Sequence, residues 1–199
     1  MTGIGAPPGP DAAWVVLETP LAPAELAAFC GDLERLYRIN PFLEFASWEQ
    51  GAPGRFRAEV LNHSNAQRTV MAASVTRTSD RALRVDYAQG LKKSTRFEIQ
   101  AAPAGSRLTI TEEYGPTDAG AQDAAVDRSL HAWGVALKAH LARDRRWGWL
   151  PLYRPAMQRL WLPMKPAARR ITFLILVIGL ADLLLLALGL AIYWIESVR

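Results

Sequence analysis

Five side chains are candidates for moving protons: His63, Asp86, Glu112, Glu113 and His131. General acid–base catalysis needs such a group held in position with a tuned pKa, and none of the five stands in a recognisable catalytic constellation. His63 lies in "LNHSNAQ", where the turn residues predict a hairpin and a solvated ring. "TITEEY" has the composition of a strand, so alternation turns either Glu112 or Glu113 inward, where a carboxylate could pair with Arg84 or Arg96. Asp123, Asp127 and His131 share one helix face at i, i+4 spacing, a pattern that suits a solvated, mutually paired face better than a metal-ligand set. The chain has no metal motif, phosphate loop, nucleophile elbow or dinucleotide fingerprint. No catalytic residue, metal or cofactor is assigned on this basis. The single cysteine, Cys30, sits at helical spacing with Leu26, Phe29 and Leu33 in "ELAAFCGDLERLY" and is expected as a small buried hydrophobe, without a disulfide framework.

A further acid, Asp182, stands inside "ITFLILVIGLADLLLLALGLAIYWI", residues 171–195, where every neighbour is apolar or small. At about 1.5 Å per residue this run makes a helix of roughly 37 Å, longer than the ~30 Å hydrocarbon core of a bilayer, and it is expected to cross a membrane once. On a heptad, Thr172, Ile175, Gly179, Asp182, Leu186, Gly189 and Tyr193 form one stripe that collects nearly every polar or side-chain-free position of the helix. Glycines allow another helix to approach closely, and a carboxyl at mid-depth is costly unless paired or neutralised. The stripe is therefore expected to pack on an integral membrane protein or on a second copy of the chain. In a homodimer two Asp182 carboxyls would meet and have to share a proton.

Charge is distributed unevenly. Residues 1–137 hold 13 Lys+Arg and 16 Asp+Glu, residues 138–170 hold 9 and 1, and residues 171–199 hold 1 and 2. The basic excess is thus juxtamembrane, which argues against nucleic acid as the partner and, by the positive-inside rule, keeps the large N-terminal part in the cytoplasm at the inner membrane. "NHS" at Asn62 matches a glycosylation sequon but lies in that cytoplasmic part. The flank mixes Trp147, Trp149, Tyr153 and Trp161 with Arg145, Arg146, Arg154, Arg159, Lys165, Arg169 and Arg170, aromatic and cationic groups suited to the headgroup layer. Prolines divide the flank, and Pro155 can open a two-turn helix, "PAMQRLWL", with Met157, Leu160 and Trp161 on its apolar side. Packing of these aromatics on the soluble domain is the competing expectation. Tyr193 and Trp194 mark the opposite interface. The N-terminal "MTGIGAPPGPDAAW" lacks the basic start and apolar core of a secretory signal and reads as a flexible lead.

Periodicity sets the class of the remainder. "AAWVVLET" predicts a strand. "APAELAAFCGDLERLYRI" predicts two short helices broken near Gly31 and Asp32. Six more strands follow, "FLEFASWEQ", "GRFRAEVLNH", "QRTVMAASVTRT", "RALRVDYAQ", "STRFEIQAA" and "SRLTITEEYGP", separated by turn signals. "AQDAAVDRSLHAWGVALKAHLARDRRW" then returns to helical spacing, with Val126, Leu130, Trp133, Leu137 and Leu141 on one stripe. An α+β architecture follows, with an antiparallel sheet of about seven strands and a long amphipathic helix across one face.

This order of elements, with "RINPFLEF" entering the second strand, "SRLTITEEYGP" as the last strand and the long helix after it, resembles the START-related helix-grip superfamily (SRPBCC), which includes polyketide cyclase and dehydrase relatives and lipid-transfer domains. The resemblance covers residues 12–146. It implies a sheet curved around the long helix and a cavity for a lipid or other hydrophobic molecule, lined by Phe56, Ala58, Ala72, Phe97, Val126, Leu130, Trp133 and Leu137. Small residues at Ala58, Ala72, Ala73 and Ser74 favour an open cavity, and large ones at Trp14, Phe56, Phe97 and Trp133 favour a filled one. The expected organisation is a lead (1–11), the grip domain (12–146), a basic aromatic interfacial segment (147–170, anchored by Trp147, Trp149, Trp161, Arg169 and Arg170, with Trp194 across the membrane), the spanning helix (171–195) and a short outer tail (196–199). The expected function is a membrane-anchored carrier or sensor of a hydrophobic ligand. The alternatives are a non-catalytic accessory subunit docked through Gly179, Asp182 and Gly189, and a cyclase- or hydrolase-type enzyme.

Overall fold

The computed structural model describes residues 12–115 and 121–197, the side chains of 121–128, 158, 166 and 167 excepted. The chain divides into two compact units, residues 1–163 and 164–199, so the segment 147–163 that follows the long helix clusters with the first.

In the first unit, β1 (Ala12–Thr19) leads into α1 (Pro23–Gly31) and α2 (Leu33–Arg38). Pro23 opens α1 with the fixed φ of a first helical residue, and the Glu25 carboxylate accepts from the Ala22 N–H at 3.0 Å. Asp32 ends α1 outside helical geometry and its carboxylate accepts from the Arg35 N–H at 3.2 Å, capping α2. The break expected at Gly31 and Asp32 is therefore a cap exchange between two helices. Six strands follow: β2 (Leu43–Gln50), β3 (Arg55–Asn62), β4 (Gln67–Ser79), β5 (Ala82–Tyr87), β6 (Lys92–Ala102) and β7 (Gly105–Tyr114). Then come α3 (Ala121–Trp147) and a short α4 (Tyr153–Pro155) that runs into a π-helical stretch, Ala156–Trp161.

All seven strands form one antiparallel sheet in the order β1-β7-β6-β5-β4-β3-β2. Alternation selects its inner face: in β3, Phe56, Ala58 and Val60 are buried while Arg55, Arg57 and Glu59 are exposed. Three irregularities, at Phe45/Ser47, Arg77/Ser79 and Lys92/Ser94, bend the strands and reset which residues face in. Trp14 faces outward and is exposed, correcting the expectation that it fills the interior: its register partner is Thr111, whereas the inward pair beside it is Val15 and Ile110. At the β6–β7 turn Gly105 has φ +139, and a Cβ there would lie 2.3 Å from the Thr19 carbonyl oxygen, so only glycine lets this turn close against the end of β1.

Helix α3 crosses the inner face with Leu130, Trp133, Leu137 and Leu141 buried. Gly134 lets it lie directly on β1, since an added Cβ would meet the Val15 side chain at 2.7 Å. Trp133 donates through Nε1 to the Leu36 carbonyl at 3.1 Å, tying α3 to α2. Near its end His140 is buried beside the Phe29 ring, with centroids 6.0 Å apart, and its Nε2 accepts from the Arg35 guanidinium at 3.1 Å. Burial, followed by the neighbouring Arg35 cation, pushes the imidazole pKa down to about 4. Cys30 is buried as expected, and burial pushes its thiol up to about 12.

In the second unit, α5 (Pro166–Ser197) contains one stretch, Ala168–Ser197, that is long and apolar enough to cross a membrane. Thr172 is half-buried, with its hydroxyl 3.9 Å from the Met164 sulfur, while Ile175, Gly179, Asp182, Leu186, Gly189 and Tyr193 are exposed along the helix. Arg169 donates to the Met164 carbonyl at 3.0 Å, and Arg170 and Trp194 are exposed.

Candidate functional site

The inner face carries a polar network inside an otherwise apolar grip. Tyr37 comes from α2, Tyr87 from the end of β5, Lys92 and Thr95 from β6, and Glu112 and Tyr114 from β7. Register brings the strand residues together: Thr95 stands opposite Glu112, and Lys92 opposite Tyr114. The Tyr37 and Tyr87 hydroxyls share a hydrogen bond, and Tyr87 Oη lies 2.8 Å from Thr95 Oγ1. The two oxygens of Glu112 are divided between the Lys92 ammonium and the Tyr114 hydroxyl. Lys92 Nζ also lies 5.7 Å from the centre of the Tyr87 ring, joining the two halves of the network. Glu112 is only 4 % exposed, whereas about a third of the Lys92 side chain reaches solvent, so the network runs from the surface to the core.

Burial pushes both phenols well above their ordinary pKa, Tyr37 with an opposing pull from its bond to Tyr87, and the nearby Glu112 charge adds to the rise in each. Both hydroxyls stay protonated at any ordinary pH and serve as hydrogen-bond partners, not as phenolate bases. The network presents two phenolic hydroxyls, the Thr95 hydroxyl and an acid–ammonium pair. That set suits binding and orienting a hydroxyl or carbonyl group.

Around the network the interior is filled with rings. Trp48 stacks on Phe56 at 4.5 Å, Tyr37 lies 5.2 Å from Trp133, and Phe97 meets Trp133 edge-on at 5.9 Å. Of the residues assigned to a cavity, Phe56, Ala58, Phe97, Leu130, Trp133 and Leu137 are all buried in this one core. The side chain of Val126 lies outside the described residues. Ala72 does not join the others, because it stands opposite exposed Arg57 on the outer face; Ala73, opposite Phe56, is the inward neighbour, and Ser74 also faces out. Consecutive strand residues cannot both face in, so only one of these small side chains borders the interior.

The two glutamates separate in the same way. Glu112 is the inward one, but its partner is Lys92. The acid that pairs with Arg84 and Arg96, at 3.1 Å each, is outward Glu113, and its bond from Ser94 at 2.7 Å and the two cations hold its carboxyl below the usual range. Asp86 pairs with Arg84 at 2.7 Å on that outer face. His63 sits at the hairpin, 3.1 Å from Glu44, and His131 is exposed; the side chains of Asp123 and Asp127 lie outside the described residues. Tyr37, Tyr87, Lys92, Thr95 and Tyr114 were not singled out from the sequence, although Tyr37 lies on the apolar stripe of "LERLYRI". Among the described residues no group of His, Cys, Asp and Glu side chains is arranged to hold a metal ion.

The fold has solved counterparts. A START superfamily protein from Mycobacterium smegmatis superimposes with a TM-score of 0.54 at 15 % identity, over 66 % of this chain and 97 % of its own. The ZhuI aromatase/cyclase from Streptomyces sp. R1128 superimposes with a TM-score of 0.57 at 12 % identity, over 69 % and 97 %. A protein from Thermus thermophilus gives 0.53 at 12 %, over 67 % and 98 %. No family model matches the chain, and no curated protein does. The curved seven-stranded sheet, the long helix across it and these counterparts give the first unit the helix-grip fold of START-superfamily proteins, followed in the chain by an apolar helix of membrane-spanning length.

Proposed function

We propose that the chain is a membrane-anchored binding protein whose grip holds a hydrophobic molecule with a hydrogen-bonding oxygen at one end, and whose α5 fixes it in the inner membrane with the grip in the cytoplasm. The observation that carries this reading is the network of Tyr37, Tyr87, Thr95, Lys92, Glu112 and Tyr114, which reaches from the surface to the core and is set among aromatic rings. A purely structural core gains little from burying Tyr37, Thr95 and Glu112, whose polar groups must be desolvated, whereas a binding site uses them to choose one end of an apolar ligand. The solved counterparts share the fold and include an aromatase/cyclase.

The test is mass spectrometry of the organic extract from full-length protein purified in lipid nanodiscs, wild type beside Tyr87→Phe. A stoichiometric apolar compound with a hydroxyl or carbonyl is expected from the wild type and a recovery lowered roughly tenfold from the variant, the equivalent of one hydrogen bond to a buried group. Equal recovery from a variant with an unchanged melting temperature would overturn the proposal, as would a wild-type extract holding no such compound.

A second reading, as accessory subunit of a membrane complex, rests on Asp182 and the flanking Gly179 and Gly189, which lie exposed on one stripe of α5. Asp182→Leu is then expected to abolish co-purification of an integral membrane partner, or self-association of the chain, after mild extraction. Assembly that survives the change would remove this reading and leave α5 a plain anchor.

A further inference from the structure

The segment that follows α3 divides its side chains between two sides. Leu162 is buried in the core of the first unit, with Tyr153, Met157 and Trp161 half-buried beside it in sequence at helical spacing. Trp161, expected as a free interfacial anchor, is thus partly used in packing, and Leu160, expected on the same apolar side as Met157, turns away. The exposed residues include Trp149 at 75 % exposure, Leu152 at 79 % and Leu160 at 60 %, with Trp147 at the end of α3 at 42 %. Between them Arg143, Arg145, Arg146, Arg154 and Arg159 are exposed. Arg146 stacks over the Trp147 ring at 5.3 Å, and Arg145 donates to the Pro20 carbonyl at 3.1 Å, so these cations are held on the unit's surface.

From Arg145 to Ala181 the sequence contains no carboxylate side chain, and Asp144, the last acid before it, is 3.5 Å from Arg35. An exposed set of indoles and leucines among arginines, with no acid from Arg145 to Ala181, marks an interaction surface. It has the composition of an interfacial segment: rings and leucines for the acyl boundary and guanidinium groups for phosphate. The same chain continues a few residues later into a helix of membrane-spanning length, which brings a bilayer within reach.

We infer that Trp147, Trp149, Leu152 and Leu160, with Arg145, Arg146, Arg154 and Arg159, form a docking surface for an anionic bilayer, on which the first unit rests through the end of α3 and the segment after it. The inference rests on the reading of α5 as a membrane anchor. It adds a second, electrostatic attachment that belongs to the soluble unit itself and depends on lipid charge. Each arginine near a surface rich in anionic lipid adds attraction, and salt weakens it.

The experiment uses the full chain in nanodiscs. Because Cys30 is buried with its thiol pushed up to about 12, a cysteine introduced by Leu160→Cys or Leu152→Cys takes a spin label selectively, with Gln100→Cys on β6 as the control. Collision with a water-soluble nickel relaxant is compared between discs of neutral phosphatidylcholine and discs containing phosphatidylglycerol. The inference expects collisions at residues 160 and 152 to fall about tenfold in the anionic discs, to recover partly in 1 M salt, and to stay constant at residue 100. Labels equally exposed in both kinds of disc would overturn it while leaving the anchor intact, and labels equally shielded in both would overturn the requirement for anionic lipid. Failure of the chain to enter discs at all would overturn the anchor and this inference together.

Discussion

Lys92→Met is expected to destabilise the first unit by about 3 kcal/mol, and adding Glu112→Gln is expected to restore most of that loss. Glu112 is 4 % exposed and faces inward, so its charge depends on the groups that touch it: the Lys92 ammonium and the Tyr114 hydroxyl. Methionine keeps the stem of the side chain over the Tyr87 ring but removes the cation, leaving a buried carboxylate with one neutral donor. Breaking a buried pair from one side costs about 3–5 kcal/mol. The lower figure applies because a third of Lys92 reaches solvent and water can enter where it stood. Glutamine then removes the stranded charge and keeps both the acceptor for Tyr114 and the side-chain volume. Denaturant unfolding of the four proteins, followed by near-ultraviolet circular dichroism, closes the double-mutant cycle. A Lys92→Met protein as stable as wild type would show that the ammonium is not what supports the buried Glu112 side chain.

The second large effect is on pH dependence. Folding holds His140 neutral, with its pKa pushed down to about 4, while the unfolded chain takes up a proton near the ordinary 6.5. The contribution of this site is therefore complete above pH 6.5 and is lost as pH falls toward 4, about 3 kcal/mol in all. The cause is geometric. Nε2 accepts from Arg35, and a protonated ring would turn that contact into two facing cations, with Arg143 nearby and Asp144 as the one opposing charge. Tyr153 and the Phe29 ring, the other groups around the cluster, remain neutral in this window. His140→Gln, whose amide oxygen can accept from the same guanidinium, is expected to flatten the slope between pH 6.5 and 4. Glu113 titrates elsewhere: its carboxyl is held low by Ser94, Arg84 and Arg96, so its contribution is present above about 4.5 and is lost only below that. A stability curve unchanged by His140→Gln would assign the acid sensitivity to other groups.

Sequence periodicity located the elements because each carries an unbroken pattern: "RFRAEV" alternates cleanly, and the α3 stripe of Leu130, Trp133, Leu137 and Leu141 repeats at helical spacing. It did not locate the site, because the site depends on parity, and parity changes at bulges that leave no mark in composition. The shift between Phe45 and Ser47 puts Phe45 and Trp48 on the same side of β2, and the shift between Lys92 and Ser94 keeps Lys92 on the inner face with Thr95. In "KKSTRF" nothing separates the inward lysine from its neighbour. Ala72 and Ala73, like Glu112 and Glu113, are adjacent residues of one kind, and only register decides between them. Tyr37 and Leu162 escaped notice for another reason: their partners lie far along the chain, and local spacing cannot report a long-range contact.

The pairing of β1 with β7 also sets the order in which this protein can be made. Among the described strands β1 is made before the rest and lies at the sheet's edge, and Thr19 must wait for Ser106 before it has a partner. At a synthesis rate of about 5–20 residues per second, β1 spends on the order of ten seconds without its ladder. Closure through such distant partners is a slow step for any chain, because loop entropy must be overcome before the contacts form. Helix α5, the apolar stretch of membrane-spanning length, comes later still, so any delay in sheet closure leaves β7 with an open edge while that helix is being made.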